Sequence, residues 1–216
     1  MRALKNTLLA TALVLLGTVA CGSGGNPVTA VLNKRPADLV LQQAEAKGLT
    51  KCSSSGTIDQ TLASLKSSDP AAYTTTSQEW TKLKAAGATD AYFAIFASDA
   101  ATCSSFGANS GATPKANAKV IGSLVVEFNN AADAQKGYNG GAFGIDPKSA
   151  TNGAQGAKTG TATGLGASSV ASFFAAAGYQ IYFALWQHDR WLAYLFSEGY
   201  PEADSSALAK QVDSRF

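Results

Sequence analysis

The chain has 216 residues, with 17 lysines and arginines against 15 aspartates and glutamates, and a formal net charge of +2. Arg2 and Lys5 are the charged residues of the first twenty, so the remainder carries 15 basic against 15 acidic residues. A neutral remainder without a basic stripe argues against a nucleic-acid-binding surface.

The N-terminal segment has the pattern of a bacterial export signal. The positive charges of Arg2 and Lys5 precede an uncharged run from Asn6 to Ala20, which is too short and wrongly flanked for a membrane-spanning helix. The sequence therefore predicts a signal peptide over residues 1–20 and places the rest of the chain outside the cytoplasm.

Small residues lead from this signal into a cysteine. Thr18-Val19-Ala20-Cys21 resembles the lipobox of bacterial lipoproteins, although that family prefers Leu or Val where this chain has Thr18. The resemblance implies cleavage before Cys21, diacylation of its sulfur, and an anchor on the extracytoplasmic face of the cell membrane. The Gly/Ser-rich start of residues 21–34 is typical of a flexible tether. An ordinary cleaved signal with an incidental cysteine is the alternative.

Two cysteines remain once Cys21 is assigned to lipid. Cys52 and Cys103 form an even pair in a compartment where disulfides persist, so we expect a bond between them. Two buried free thiols are the alternative.

Residues 35–216 suit a single domain with a sizeable core. Its first part predicts a helix over 35–49 and a short helix over 77–87, capped by Ser77 and ended by Gly87. The segment between them, 57–68, is ambiguous, and we read it as a strand or loop.

The later part predicts a sheet. Apolar and aromatic runs bounded by turn formers indicate five strands, at 89–98, 118–128, 169–175, 179–187 and 190–197. Helices are expected at 129–138 and 201–215, so strand, strand, helix occurs twice. Two such ββα units favour an α+β domain whose antiparallel sheet carries helices mainly on one face. The Gly- and Ala-rich stretch 139–167 is expected to be a long loop.

A hairpin around the single histidine, His188, is the most distinctive feature. If its strands turn about His188-Asp189, Trp186 opposes Trp191, and both share a face with Tyr182 and two alanines. This face has two interpretations: a core surface covered by helices, or an aromatic stacking platform for a ligand, with 151–168 as a movable cover. His188 itself is expected at a solvated tip, a poor place for a catalytic base.

Catalytic and metal-binding patterns are weak. The segment 107–111 lacks the spacing of a nucleophile elbow, and one histidine with two paired cysteines leaves no ordinary zinc site. The glycines of 159–169 precede a strand rather than a helix, which does not suit a phosphate loop. A carboxylate pair for glycoside hydrolysis stays open, with four scattered candidates: Glu79, Asp99, Glu127 and Glu198. We therefore expect no cofactor and no metal.

The domain also resembles, more faintly, the extracytoplasmic sensor domains of mycobacterial receptor kinases. The resemblance rests on "TGLGASS" (163–169), the Trp186/Trp191 hairpin and the terminal helix, and it implies ligand sensing without catalysis. The leading hypothesis is a lipid-anchored, non-catalytic binding or sensor module with an unknown small ligand. The alternatives are an envelope hydrolase that uses His188 or a carboxylate pair, and a structural protein that binds another envelope protein.

Overall fold

The structure, a computed structural model, describes residues 34–105, 118–143, 145–148, 156–176 and 178–216. These residues form one eight-stranded sheet with helices on both faces. The strands are β1 Thr50–Lys51, β2 Gly56–Thr57, β3 Ala88–Ala97, β4 Val120–Phe128, β5 Lys158–Thr159, β6 Ser169–Ala176, β7 Tyr179–His188 and β8 Trp191–Glu198.

Six α-helices and one short 3-10 helix accompany the strands in the described ranges. They are α1 Pro36–Leu39, α2 Ile58–Ser68, α3 Pro70–Ala85, α4 Ala100–Ser105, α5 Ala131–Gly140 and α6 Glu202–Asp213, with the 3-10 helix at Gly160–Thr163. Within these ranges, no helix has both the length and the apolar character needed to cross a bilayer.

The sheet order is β1-β3-β4-β8-β7-β6-β5, with β2 also paired to β3, and every pairing is antiparallel. The five long strands are the five that the sequence predicts, and three two-residue strands extend the edges. The prediction of an α+β fold with an antiparallel sheet is confirmed.

Two hydrophobic clusters lie on opposite faces of the sheet. Helices α2, α3 and α5 cover one face, where Trp80 and Tyr138 pack against strand residues such as Leu124 and Leu192. Helix α6 and the segment before β1 cover the other face, where Val212 and Leu41 pack with the aromatic residues of the hairpin. The two predicted strand-strand-helix units are therefore present, but their helices, α5 and α6, lie on opposite faces.

The predicted helix over 35–49 was wrong beyond its first turn. Helix α1 ends at Leu39, and Val40 has extended backbone angles. Leu39, Val40 and Leu41 are all buried in succession, a pattern that a helix with one apolar stripe cannot produce. The backbone N–H of Leu41 instead donates to Ser123 Oγ at 3.3 Å, so tertiary contacts replace the helical ones.

The segment 57–68 is a helix rather than the predicted strand or loop. Thr57 caps it by accepting from the N–H of Gln60, while the Gln60 side chain accepts from the N–H of Thr57 at 2.9 Å. The helix predicted over 77–87 begins earlier, at Pro70, because Asp69 accepts hydrogen bonds from the N–H groups of the first turn.

The hairpin of β7 and β8 turns one residue later than the sequence analysis placed it. Asp189 and Arg190 form the turn, and Asp189 adopts a positive φ of 49°. His188 consequently pairs with Trp191, and Trp186 with Ala193, a register shifted by two residues from the predicted one. A shift of two leaves each side chain on its predicted face, because strand side chains alternate with a period of two.

Candidate functional site

A pocket of about 260 Å³ opens where three parts of the sheet end together. Ala118 and Lys119 precede β4, Gly178 precedes β7 and Tyr179 and Gln180 begin it, and Glu198 ends β8 with Gly199 directly after it. The antiparallel order places these ends side by side, since β8 lies between β4 and β7. Residues distant in sequence therefore line one small cavity.

Glu198 is the buried acid of this pocket. It pairs across the strands with Val120 on one side and Ile181 on the other, and it is only 7% exposed. No donor or cation from the part of the chain that the structure describes lies within bonding distance of its carboxylate. Desolvation by burial raises the pKa of Glu198 above that of an ordinary glutamate. Glu198 is thus a buried acid that lines a cavity and has no partner for its carboxylate among the described residues.

Gly199 closes the pocket wall by bringing two strands' backbones together. Its N–H donates to Gln180 O at 2.9 Å, and its φ is +78°. A Cβ at this position would lie 2.4 Å from Ala118 O, well inside van der Waals contact. Only glycine fits this position, both because of its backbone angles and because of this close approach.

Lys119 lies on the same pocket but does not pair with Glu198. Its Nζ lies 5.1 Å from the centre of the Tyr200 ring, a cation–π contact. Burial, and in second place the charge of Asp204, raise the pKa of Tyr200, which keeps the ring neutral over the physiological range. Among the described lining residues, the pocket therefore has an acid without a bonded partner, Glu198, and a lysine whose ammonium group lies over an aromatic ring.

The three aromatic residues proposed as a stacking surface are core residues. Tyr182, Trp186 and Trp191 are 2%, 0% and 5% exposed, and they pack under α6 and the N-terminal segment. Burial raises the pKa of Tyr182 to about 12. The structure thus shows the core interpretation of this face. The open platform that ligand stacking needs is not present at these residues.

His188 ends β7 and is exposed, as expected, although it belongs to the strand rather than the turn. Its ring stacks on Phe216 at a centroid distance of 5.5 Å, and its Nδ1 lies 3.5 Å from Asp213 Oδ1. These contacts join the hairpin to the C-terminal end of α6. Neither contact brings a serine, threonine or cysteine to the ring, so this arrangement gives no support to a hydrolase in which His188 activates a hydroxyl or thiol.

Three of the four candidate carboxylates have partners elsewhere. Glu79 pairs with Lys82 at 2.6 Å, Glu127 pairs with Arg190 at 3.1 Å, and Asp99 accepts from Thr102 at 2.7 Å. Glu198 differs from them because it is buried and no described residue donates a hydrogen bond or a positive charge to its carboxylate. Glu198 is one of the four acids named from the sequence, but no sequence pattern indicates that it is buried. Among the described residues, no group of three metal-ligating side chains occurs.

The predicted disulfide is present in the structure. Cys52 and Cys103 are joined with a Cα–Cα distance of 5.4 Å, and Cys52 is buried against Ile95 and Val120. The bond fixes α4 to the segment between β1 and β2. Cys21 and the tether over 21–33 lie outside the described residues.

The segment 151–168, expected as a movable cover, is only partly described. Residues 151–155 lie outside the described ranges. In the remainder, Leu165 is buried in the cluster that contains Trp186, and Thr163 Oγ1 lies 2.7 Å from Ser169 Oγ. This part of the segment packs against the aromatic face.

Comparisons with known proteins yield one similarity of fold. No protein-family model matches the chain, and no curated protein matches it in sequence. The structure is similar to the crystal structure of the extracellular domain of PknH from Mycobacterium tuberculosis, with a TM-score of 0.51 and 12% identity. The similarity covers 84% of this chain and 94% of that domain. The chain therefore has a fold similar to that of a mycobacterial extracellular domain.

Proposed function

We propose that this chain is a non-catalytic binding or sensor module, held on the extracytoplasmic face of the cell membrane by a lipid on Cys21. The observation that carries the binding function is the pocket at Glu198, where a buried acid with no partner in the described parts of the chain lines an open cavity. Buried charges in folded proteins are normally paired, so an unpaired one in a pocket favours a ligand partner.

Two further observations support the proposed extracytoplasmic location. The fold is similar to that of an extracellular domain over most of both chains, and the Cys52–Cys103 disulfide suits an oxidising compartment. The leader with Thr18-Val19-Ala20-Cys21 supports export and lipidation.

The anchor is tested by metabolic labelling with an alkyne analogue of palmitate in a bacterial host. The full chain is expected to take up the label and partition into the detergent phase, whereas Cys21→Ser is expected to do neither. A full chain without label would remove the lipid anchor from the proposal.

Binding is tested by melting the full chain in the presence of cell-wall fragments, glycolipids and small metabolites. A bound ligand is expected to raise the melting temperature by mass action and to shift the amide NMR signals of Gly178, Gln180 and Gly199. A panel that changes neither the melting temperature nor these signals would count against a binding function at this pocket.

A further inference from the structure

The pocket at Glu198 also indicates a chemical class of ligand. We infer that it binds the ammonium group of a small organic monocation, with the Glu198 carboxylate as the acceptor. This inference rests on the proposed binding function and specifies the ligand for the same site.

No described residue brings a positive charge into bonding distance of the Glu198 carboxylate. Glu198 is 7% exposed as a residue, so its ionised carboxylate has lost part of its hydration, and the described residues provide no donor in return. An ammonium group supplies three N–H donors and a full positive charge, so it restores more of this loss than a hydroxyl does. A neutral polyol offers only uncharged hydrogen bonds, and an anion would be repelled.

The volume and the lining of the cavity suit an ammonium group on a short alkyl chain. Its volume of about 260 Å³ equals roughly nine times the ~30 Å³ that one water occupies in the liquid. A short alkyl chain fits this space, and an aromatic residue, Tyr179, is among the residues that line it together with the acid. A bare divalent cation would need several oxygen ligands, whereas Glu198 is the one carboxylate among the described lining residues.

A lysine in the pocket lining favours a ligand with a single positive charge. Lys119 lines the same pocket, with its Nζ 5.1 Å from the centre of the Tyr200 ring. A second ammonium group on the ligand would face this lysine in a cavity where charges are poorly screened. A monoamine is therefore favoured over a diamine of similar length.

The test uses butylammonium chloride as the probe and 1-butanol as its neutral counterpart. Amide NMR spectra are recorded for the isotope-labelled full chain in detergent micelles, with sodium chloride matching the ionic strength. Butylammonium is expected to shift the signals of Gly178, Gln180 and Gly199 in a saturable manner, and 1-butanol is expected to leave them unchanged at equal concentration.

Two variants test whether binding depends on the negative charge of Glu198. Glu198→Gln keeps the shape of the side chain and removes its charge, and it is expected to weaken butylammonium binding at least tenfold. Glu127→Gln makes the same change in net charge on β4, but at an acid that is paired with Arg190, and it is expected to bind as the parent does. The spectra themselves show whether each variant is folded.

The outcomes separate this inference from the proposed function. Equal binding by Glu198→Gln and the parent, or equal shifts with 1-butanol, would overturn the ammonium site. If a neutral compound from the ligand panel shifts the pocket signals while butylammonium does not, the sensor function stands and the ligand class is wrong. If neither the probe nor the panel shifts them, both proposals fail.

Discussion

Glu198 shows how strongly one residue's role depends on its place in the sheet. Glu127, one residue before the end of β4, pairs with Arg190 in a partly exposed position, whereas Glu198 ends β8 between two apolar neighbours, Val120 and Ile181. Both residues are glutamates at strand ends, and periodicity cannot distinguish them. Only the antiparallel order of β4, β8 and β7 places Glu198 between two other strands, so its burial could not be predicted from the sequence.

The raised pKa of Glu198 makes the stability of the unliganded protein depend on pH. Because the folded-state pKa lies above the unfolded one, folding favours the protonated acid, so stability falls as pH rises above the unfolded-state pKa and the loss is complete above the raised folded-state pKa. Glu198→Gln is therefore expected to melt at a higher temperature than the parent at about pH 7. The difference should shrink toward zero at about pH 3, where both side chains are neutral.

This prediction is measured by thermal denaturation of the two proteins across that pH range, with Glu127→Gln as the control. A constant difference between Glu198→Gln and the parent at every pH would show that burial of the charge is not the cause.

At the scale of elements, the sequence predicts the long strands well and the helices unevenly. Strands β3, β4 and β6 to β8 appear within two residues of their predicted bounds, since their aromatic and β-branched runs are long. Helix α2 was missed, although Thr57 and Gln60 form the spacing of a capping box. The register of the hairpin was displaced because the turn depends on the positive φ of Asp189, which pattern alone does not indicate.

The segment predicted as a longer first helix is instead held by the other end of the chain. Arg215 Nη1 donates to Val40 O at 2.9 Å and to Leu39 O at 3.2 Å, and its other terminal nitrogen pairs with Glu45. Both side chains of this pair are shielded, at 20% and 9% exposed. These contacts satisfy backbone carbonyls that a continued helix would have satisfied itself.

Arg215→Ala is therefore expected to destabilise the protein by about 3 kcal/mol, because it frees two carbonyls and leaves Glu45 as a shielded, unpaired acid. Urea denaturation measures the change. Arg35→Ala serves as the control, since its pair with Asp38 is exposed on both sides and should matter little. An Arg215→Ala variant with the urea midpoint of Arg35→Ala would contradict this role.

At the scale of the whole molecule, the disulfide joins two parts of the chain that are 51 residues apart. The link encloses α2, α3 and β3, so it restricts the unfolded chain over a long loop. The pairing could be predicted from the count of cysteines once Cys21 was assigned to the lipid. Its position near β4 and Phe196 could not, because that contact depends on the sheet order.

Replacing both cysteines by alanine is expected to lower the free energy of unfolding by up to about 4 kcal/mol, the loop-closure entropy of a loop of this length. Equilibrium unfolding in urea measures the loss. The reduced parent should behave in the same way as the double variant. An unchanged urea midpoint in both would mean that the bond does not limit the unfolded state.

The contact between residue 34 and residue 215 has a mechanical consequence when the chain is pulled from its N-terminal side. Lys34 Nζ donates to the carbonyl of Arg215, and Arg215 in turn holds Leu39 and Val40. A force applied along the chain from its N-terminal side would therefore act on these bonds before it reached the sheet. In single-molecule force spectroscopy, residues 34–41 are expected to detach from the C-terminal end of the chain first, while the β-sheet and the pocket at Glu198 stay intact.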